Sequence, residues 1–449
     1  MLKKGNIIEI SIEKIVFGGE GLGYYNGIPI FVPMSVPGDV LSAKIISVKK
    51  TYARALIEKI LISSKDRVAN NKISFEDFFG CDFAMLNYDA QLKYKIEMVN
   101  EVMQKIGGIS SLKTEIIGAE NIFNYRNKII EPFAFKNDKI ISGFYSRKSH
   151  DIFEVEENIL NSKLGNFIIK KLKEILNSKK VSVYDENTGK GLIRNIMIRT
   201  NSLNEAMVVL IINSKKVSSE ISEILKKLKE EIKEIKSVYV SLNSKKTNVL
   251  IGNENILICG EKNIKENIFG INFNISPDSF FQINLEQTKK IYNLSLSYFD
   301  NIKNKNIIDC YSGTGTIAML VAKYAKKVHA IEVVKSAVSD AKKTADENNI
   351  ENINFINGKV EDKILELVKN EKIDAVIFDP PRKGLEKNII EIIDKANIKE
   401  IVYISCNPST LARDIKLFLE KGYILEKIKS VDMFPQTSHI ETVALITKK

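Results

Sequence analysis

The last third of the chain alternates between apolar stretches of strand length and stretches with helical periodicity. The apolar stretches lie at residues 307–309, 328–332, 353–356, 375–379, 401–404 and 442–447. This alternation predicts an open, mostly parallel sheet that is covered by helices. We expect the final strand of this sheet to run antiparallel to its neighbour. Ligands of such sheets bind at the carboxyl ends of the strands.

The 449-residue chain is too long for one ordinary domain, and its patterns divide it into three. Residues 1–62 contain five short predicted strands with glycine-rich turns, which are typical of a small OB-like β-barrel. Residues 63–274 combine amphipathic helices with paired strands and predict a mixed α+β domain. Residues 275–449 hold the alternating pattern. The predicted fold class is therefore α/β, with a Rossmann-like domain preceded by the barrel and the α+β domain.

The formal net charge of +11 favours a polyanionic partner, because lysine and arginine neutralise phosphates. Small barrels of the OB type often bind single-stranded nucleic acid, which is one such polyanion. The barrel and the central domain would contact it, and the candidate cations of the central domain are Arg126, Lys128, Arg147, Lys148, Arg194 and Arg199.

The four cysteines form no CxxC pair, which argues against a disulfide framework or a zinc site and fits a reducing compartment. No apolar stretch approaches the length of a membrane-spanning helix. We therefore expect a cytoplasmic monomer without a membrane partner.

A glycine-rich loop follows the first strand of the last domain. Its sequence, Asp309-Cys310-Tyr311-Ser312-Gly313-Thr314-Gly315-Thr316, permits a tight turn and close approach to a ligand. Glu332 ends the next predicted strand, where a carboxylate can accept hydrogen bonds from both ribose hydroxyls of a nucleoside. Ala318 replaces the third glycine of a dinucleotide fingerprint, which alone leaves NAD possible. The loop Asp379-Pro380-Pro381-Arg382-Lys383-Gly384 favours S-adenosylmethionine instead.

Cys406 lies at the carboxyl end of the strand predicted at residues 401–404. Most free cysteines are buried packing residues, but one at this edge of a sheet is well placed to act as a nucleophile. Asn407-Pro408 is interpreted as the stop of the strand, and Ser409 or Thr410 as the N-cap of the next helix. The amino end of that helix would favour the thiolate of Cys406.

Taken together, these motifs resemble the uracil-5 RNA methyltransferase family, in the branch that carries an N-terminal TRAM domain. The resemblance rests on segments at 18–23, 276–284, 309–316, 379–384, 405–414 and 439–443. It implies that Cys406 is the nucleophile and Glu441 the base. The implied cofactor is S-adenosylmethionine, and its predicted contacts are Gln282, Asp309, Tyr311, Gly313, Gly315, Thr316, Glu332 and Asp379.

Many members near this branch hold an iron–sulfur cluster on four cysteines, three of them spaced C-x5-C-x2-C. Here only Cys81 matches, because Lys72 and Phe78 stand at the other two positions and Asn158 stands near the fourth. One thiolate cannot support a four-thiolate cluster. We therefore expect no iron–sulfur cluster and interpret Cys81 as a packing residue.

The chemistry of uracil explains the need for two catalytic groups. A thiolate added at carbon 6 makes carbon 5 nucleophilic, and a base must later remove the proton from carbon 5. Glu441 suits the second role, and His439 is interpreted as a positioning residue. The target base must leave its stack to reach Cys406.

The implied substrate is 23S rRNA rather than tRNA, because bacterial tRNA members of the family generally lack a TRAM domain. Three alternatives remain open: a tRNA uridine-5 methyltransferase, an RNA cytosine-5 methyltransferase, and a non-catalytic RNA-binding factor with a relic fold. RNA cytosine-5 enzymes usually carry a second cysteine in the loop after the fourth strand, where this chain has none. The presence of both Cys406 and Glu441 argues against the relic.

Overall fold

The computed structural model describes residues 2–68, 80–110, 113–145, 152–246, 250–252 and 254–448. The chain divides into two compact units. The first comprises residues 1–120, 286–338 and 352–449, and the second comprises residues 121–285 and 339–351. Four residues named above lie outside the described residues: Lys72, Phe78, Arg147 and Lys148.

The first unit begins with a six-stranded OB-like sheet. Its strands are β1 (Ile7–Ser11), β2 (Lys14–Ile15), β3 (Gly21–Tyr25), β4 (Ile28–Val32), β5 (Val40–Val48) and β6 (Ala53–Ile62). The order is β1-β5-β6-β4-β3-β2. The sequence pattern did not predict the two-residue β2, and it indicated a glycine-rich turn at residues 18–23, where β3 in fact begins at Gly21. Alternate residues of β1, Ile8 and Ile10, are buried, as expected of a strand with one face on a core.

A long helix and a short strand follow, α1 (Tyr88–Lys105) and β7 (Glu115–Ile117). The Asn87 side chain accepts a hydrogen bond from the Ala90 N–H at 2.9 Å and so caps the start of α1. The sequence pattern predicted amphipathic helices in this part of the chain. Two long polar side chains of α1, Gln91 and Lys95, are nevertheless fully buried, and buried polar groups require hydrogen-bond partners.

The second unit is a mixed α+β structure. It contains β8 (Lys128–Lys136), β9 (Lys139–Tyr145), β10 (Ile152–Glu154), α2 (Lys163–Ser178), β11 (Ile193–Thr200), β12 (Ala206–Ile212), α3 (Ser219–Glu231), β13 (Ile235–Leu242), β14 (Glu254–Gly260), β15 (Ile264–Ile268) and β16 (Ile271–Ile275). The main sheet has the order β10-β9-β8-β11-β12-β13-β14, and β15 pairs with β16. The Ser218 side chain accepts a hydrogen bond from the Ile221 N–H at 3.3 Å and so caps the start of α3.

The first unit ends in an eight-stranded α/β sheet. The strands added here are β17 (Asn306–Cys310), β18 (Lys327–Glu332), β19 (Ile353–Asn357), β20 (Ala375–Phe378), β21 (Glu400–Ser405), β22 (Ile424–Val431) and β23 (Glu441–Thr447). The helices in this part of the chain are α4 (Leu285–Ser297), α5 (Thr316–Ala322), α6 (Lys335–Glu347), α7 (Val360–Asn370), α8 (Lys387–Lys395) and α9 (Pro408–Glu420), with a short 3₁₀ helix at Ile302–Asn304. Most of α6, from residue 339 onward, belongs to the second unit.

The strand order of this sheet is β19-β18-β17-β20-β21-β23-β22-β7. Strands β19 to β21 pair in parallel, and β23 pairs antiparallel with β21. The predicted α/β class and the antiparallel final strand are therefore confirmed. Strand β22 was not predicted, and neither was the addition of β7 at the edge beside it.

A buried ion pair joins α1 to the end of β22. Lys95 Nζ lies 2.5 Å from Asp432 Oδ1, and neither side chain is exposed to solvent. The Tyr88 hydroxyl donates to Asp432 Oδ2 at 2.9 Å, and Lys95 also donates to the Phe434 carbonyl at 3.1 Å. Because these groups are removed from water, each charge depends on its partner for stabilisation.

We expect Lys95→Met to lower the free energy of unfolding by about 3–5 kcal/mol, because it leaves Asp432 buried and unpaired. Urea unfolding measures the change. Lys93→Met is the matched control on the same helix: its side chain is 53% exposed, so its loss is expected to cost under about 1 kcal/mol. Equal effects of the two substitutions would contradict the prediction.

Candidate active site

The register of the parallel strands places several predicted site residues along one edge of the sheet. Cys310, the last residue of β17, pairs with Ile331 of β18 and with Phe378 of β20. The next residue along the chain is Tyr311 after this position of β17, Glu332 in β18 and Asp379 after β20. These three residues therefore lie side by side where ligands of such sheets bind.

The glycine-rich loop turns sharply at this edge. Tyr311 has φ +63°, Gly313 has φ +54° and Gly315 has φ +75°, and Thr316 then begins α5. Left-handed backbone is costly for a residue such as Tyr311, so the surrounding structure must hold it. The Gly313 N–H donates to Glu332 Oε2 at 3.0 Å, and a side chain at Gly313 would meet no atom within 4 Å. Open space thus lies beside the oriented Glu332 carboxylate.

Two aspartates lie buried at the same edge. Neither carboxylate oxygen of Asp309 has a hydrogen-bond partner among the described residues, although the nearby Ala318 N–H favours its ionised form. Burial raises the pKa of Asp309 well above its ordinary value, and the charge of Asp379 raises it further. Burial also raises the pKa of Asp379 to about 7. Both carboxyl groups are therefore short of the positive charge that ionisation requires.

Tyr292 of α4 is a neighbour of this group that the sequence interpretation missed. Burial raises the pKa of its hydroxyl, and the charges of Asp379, Asp309 and Glu441 act in the same direction. Its position in the apolar pattern of α4 indicated only a core residue. No feature of the sequence linked it to the three carboxyl groups.

Cys406 and Glu441 come from two adjacent antiparallel strands. The last pair in the β21–β23 ladder joins Ser405 to Thr442. One residue further, the same register sets Cys406 opposite Glu441, and opposed residues have neighbouring side chains. The charge of Glu441 accordingly contributes to the pKa of the Cys406 thiol. The structure thus brings the two predicted catalytic residues together.

The helix after Cys406 begins earlier than the sequence interpretation placed it. Asn407 is the N-cap, its side chain accepts from the Ser409 N–H at 3.1 Å, and Pro408 is the first helical residue. The prediction of Ser409 or Thr410 as the cap is therefore wrong. Proline is favoured at the first helical position because it lacks the N–H that would be unsatisfied there.

The prediction of a favoured thiolate is also wrong. Burial raises the pKa of the Cys406 thiol to about 11, the negative charges of Glu441 and Asp379 raise it further, and Arg382 opposes them. The amino end of α9 does not outweigh these effects. Ionisation of Cys406 therefore requires more positive charge in the crevice.

Glu441 is 7% exposed at the start of β23. Burial raises the pKa of its carboxyl well above the ordinary value, Asp379 raises it further, and Arg382 lowers it. Such a shift brings a carboxyl group closer to the range in which it can exchange protons at neutral pH. His439, in contrast, is exposed and makes an edge contact with the Phe434 ring at 6.0 Å.

The crevice fits a cationic nucleoside such as S-adenosylmethionine. Asp309 supplies a buried carboxylate without a hydrogen-bond partner, and Asp379 a second buried acid. Glu332 supplies an oriented carboxylate beside the open space at Gly313. Gln282, another predicted contact, belongs to the second unit, where the Asn127 side chain donates to its carbonyl at 3.0 Å.

The structure describes no group of three or more His, Cys, Asp or Glu side chains that could hold a metal ion. Cys81, the remaining counterpart of the family's cluster ligands, is 1% exposed. Among the same described residues, no helix is both long enough and apolar enough to span a bilayer.

Two of the predicted RNA contacts are buried inside the second unit. Arg194 donates to the carbonyls of Asn243 and Lys245, and Arg199 donates to those of Pro277 and Ser279. Guanidinium groups that donate to these backbone carbonyls hold loops of the protein and are not directed at a phosphate backbone. We therefore remove Arg194 and Arg199 from the proposed RNA contacts.

Arg126 and Lys128 remain candidates for contact with RNA, because both are only half-buried and therefore keep part of their surface exposed to solvent. Burial lowers the pKa of Lys128 to about 8, and the charge of Arg199 acts in the same direction. Lys128 still carries substantial positive charge near neutral pH.

Comparison with known proteins agrees with this geometry. Residues 87–449 match the family model described as tRNA (uracil-5-)-methyltransferase, and residues 2–57 match the TRAM domain. A protein of Fusobacterium nucleatum subsp. nucleatum, named as an uncharacterized RNA methyltransferase, is 65% identical over 100% of this chain and 97% of its own length. A protein of Caldanaerobacter subterraneus subsp. tengcongensis with the same description is 39% identical over 100% and 99%.

A solved structure is also similar. The tRNA (uracil-54, C5)-methyltransferase of Pyrococcus abyssi, in complex with S-adenosyl-L-homocysteine, has a TM-score of 0.79 and 28% identity, covering 98% of this chain and 100% of that chain. Fold and crevice define an S-adenosylmethionine-dependent RNA methyltransferase. The chain belongs to the tRNA (uracil-5-)-methyltransferase family. Membership of this family argues against both the RNA cytosine-5 methyltransferase and the non-catalytic RNA-binding factor.

The raised pKa of Asp379 predicts a pH-dependent stability for the ligand-free protein. An acid whose pKa rises from about 4 when unfolded to about 7 when folded destabilises the fold in its ionised form. Stability should therefore fall as pH rises through about 4 to 7. We expect thermal denaturation temperatures to fall over this range, and to fall less in Asp379→Asn. Asp89→Asn, at an exposed aspartate of α1, is the control. An equally steep fall in Asp379→Asn would refute the prediction.

Proposed function

We propose that the protein transfers a methyl group from S-adenosylmethionine to carbon 5 of a uridine in RNA through a covalent adduct of Cys406. The observation that carries this proposal is the register that sets Cys406 opposite Glu441 at the ligand edge of the sheet. A nucleophile and a base facing each other can act in turn on carbon 6 and carbon 5 of one pyrimidine ring.

Cys406 acts first. Its thiolate forms a bond to carbon 6, and the electron pair of the C5–C6 double bond moves toward the O4 oxygen to give an enolate. When bound, S-adenosylmethionine supplies a methyl group on a positively charged sulfur, and transfer to carbon 5 leaves neutral S-adenosylhomocysteine. Arg382 favours the thiolate, because its charge opposes the acids around Cys406. A cation held between Asp309 and Asp379 would act in the same direction.

Glu441 acts second. Carbon 5 now bears both the methyl group and a hydrogen, and the Glu441 carboxylate accepts that proton. The released C–H electron pair re-forms the C5–C6 double bond and expels the Cys406 thiolate. The balance is one uridine methylated and one proton released for each S-adenosylmethionine. Burial raises the pKa of Glu441, which makes its carboxylate a stronger base than an exposed glutamate.

The proposed RNA is 23S rRNA, and support for it is the N-terminal TRAM domain, which bacterial tRNA members of the family generally lack. A uridine of tRNA is the second candidate. It is favoured by the likeness to the Pyrococcus abyssi enzyme, which is named for uracil-54 of tRNA and aligns with nearly the whole of this chain. The target base must in either case be extruded from its stack.

We expect Cys406→Ala to abolish methyl transfer to RNA, and Glu441→Gln to trap methylated RNA on Cys406. Labelled S-adenosylmethionine and denaturing gels measure both effects. Cys259→Ala, a half-buried cysteine of the second unit, is the matched control and should remain active. Full methyltransferase activity of Cys406→Ala would contradict the proposed covalent adduct.

Mapping of 5-methyluridine by mass spectrometry in RNA from a deletion strain identifies the substrate. Loss of the modification from 23S rRNA supports the first candidate, and loss from tRNA alone supports the second. If both RNAs keep all their 5-methyluridine, neither substrate assignment holds.

A further inference from the structure

The loop at residues 432–440, which we call the 432–440 loop, connects β22 to β23 and ends at Glu441. Most of its residues are buried, including Gln436 at 3% and Ser438 at 8% exposure. Gln436 has φ +70°, a strained conformation for a residue other than glycine. A buried, strained loop keeps its shape only when other groups hold it.

Polar residues between 82 and 95 supply these contacts. The Gln91 side chain donates to Gln436 Oε1 at 3.0 Å and accepts from the Gln436 N–H at 2.9 Å. Lys95, four residues later on α1, pairs with Asp432. Residues four apart lie on the same face of a helix, so one face of α1 holds two points of the 432–440 loop.

The contact nearest to Glu441 is made by Asp82. Its Oδ1 accepts from the Ser438 N–H at 2.8 Å, and its Oδ2 accepts from the Ser438 hydroxyl at 2.5 Å. Hydrogen bonds to a carboxylate are shorter and stronger than neutral ones. This pair therefore fixes both the backbone and the side chain of Ser438, three residues before Glu441.

The barrel is shaped to fit this contact. Gly19, in the turn before β3, has φ +85°, and a Cβ there would lie 2.7 Å from both Asp82 Oδ2 and Ser438 Cβ. Only glycine fits at that distance. The barrel turn, Asp82 and the 432–440 loop therefore meet at one point of the first unit.

Cys406 is held by other elements. It follows β21 and precedes α9, and the Asn407 side chain donates to the Arg382 carbonyl at 3.0 Å. In the part of the chain that the structure describes, no hydrogen bond joins Asp82 to that segment. A change at Asp82 should therefore displace the base without displacing the nucleophile.

We propose that Asp82 is a positioning residue that holds the Glu441 carboxyl opposite Cys406 by fixing Ser438. This inference rests on the proposed function, since it assigns Asp82 to the proton-removal step of that reaction. Loss of the contact should slow removal of the carbon 5 proton and release of Cys406. Thiolate addition and methyl transfer precede that step and should be nearly unaffected.

The test is single-turnover methylation of the RNA that the wild-type enzyme methylates, with labelled S-adenosylmethionine. Methyl transfer and resolution of the Cys406–RNA adduct are timed separately on denaturing gels. We expect Asp82→Ala to slow adduct resolution about tenfold while methyl transfer changes less than about threefold. Asp82→Asn should restore most of the rate, because its amide can still accept from the Ser438 N–H and pair with the hydroxyl.

The matched control is Asp89→Ala, which removes an exposed aspartate seven residues away and should resolve the adduct at the wild-type rate. Ser438→Ala removes one of the two bonds and provides a second variant if Asp82→Ala does not fold. It should slow resolution to a smaller extent. Thermal denaturation of each variant separates loss of stability from loss of positioning.

The inference is overturned if Asp82→Ala resolves the adduct at the wild-type rate, or if both steps slow equally and Asp82→Asn restores neither. Glu441→Gln separates this failure from failure of the proposed function. If Glu441→Gln traps the adduct and Asp82→Ala does not, only the role of Asp82 is lost. If Glu441→Gln traps none, the assigned role of Glu441 is lost as well.

Discussion

The sheet edge that carries Cys406 is governed by the cost of burying several acidic groups together. Asp309, Asp379 and Glu441 all lie within reach of Tyr292, and burial raises the pKa of each acid. Neutral carboxyl groups are therefore favoured there. A positively charged cofactor offsets this cost, and the same charge would help Cys406 to ionise. Binding of the cofactor and ionisation of the Cys406 thiol thus depend on one electrostatic condition.

Much of the fold follows from local patterns that the sequence displays. The alternation of strands and helices predicted the α/β sheet, and the glycine loop and strand-end acids predicted the crevice. Strand β22 was missed even though residues 424–431 hold several apolar residues among polar ones. Strand β7 was missed because its pairing depends on a partner more than 300 residues away, and no local pattern records such a partner.

The sequence indicated which residues to expect at the site, but it indicated less well the burial and the neighbouring charges of those residues. The structure sets the two predicted residues, Cys406 and Glu441, opposite each other, but the pKa of the thiol was placed on the wrong side of its ordinary value. The error arose because burial and neighbouring acids come from tertiary contacts, whereas the amino end of α9 is visible in the sequence. Arg194 was misjudged for a related reason: a cation in a polar stretch gives no sign of the carbonyls that it holds.

The buried pair of Lys95 and Asp432 also constrains how the chain folds as it is synthesised. The two residues are 337 positions apart, so α1 leaves the ribosome long before its acidic partner exists. Until β22 is made, Lys95 must remain hydrated, and α1 cannot dock in its final place without burying an unpaired charge. The barrel can form early, but the sheet that carries Cys406 can close only after β22 and β23 have been made. A chain that ends before β22 would therefore lack the assembled sheet edge at Cys406.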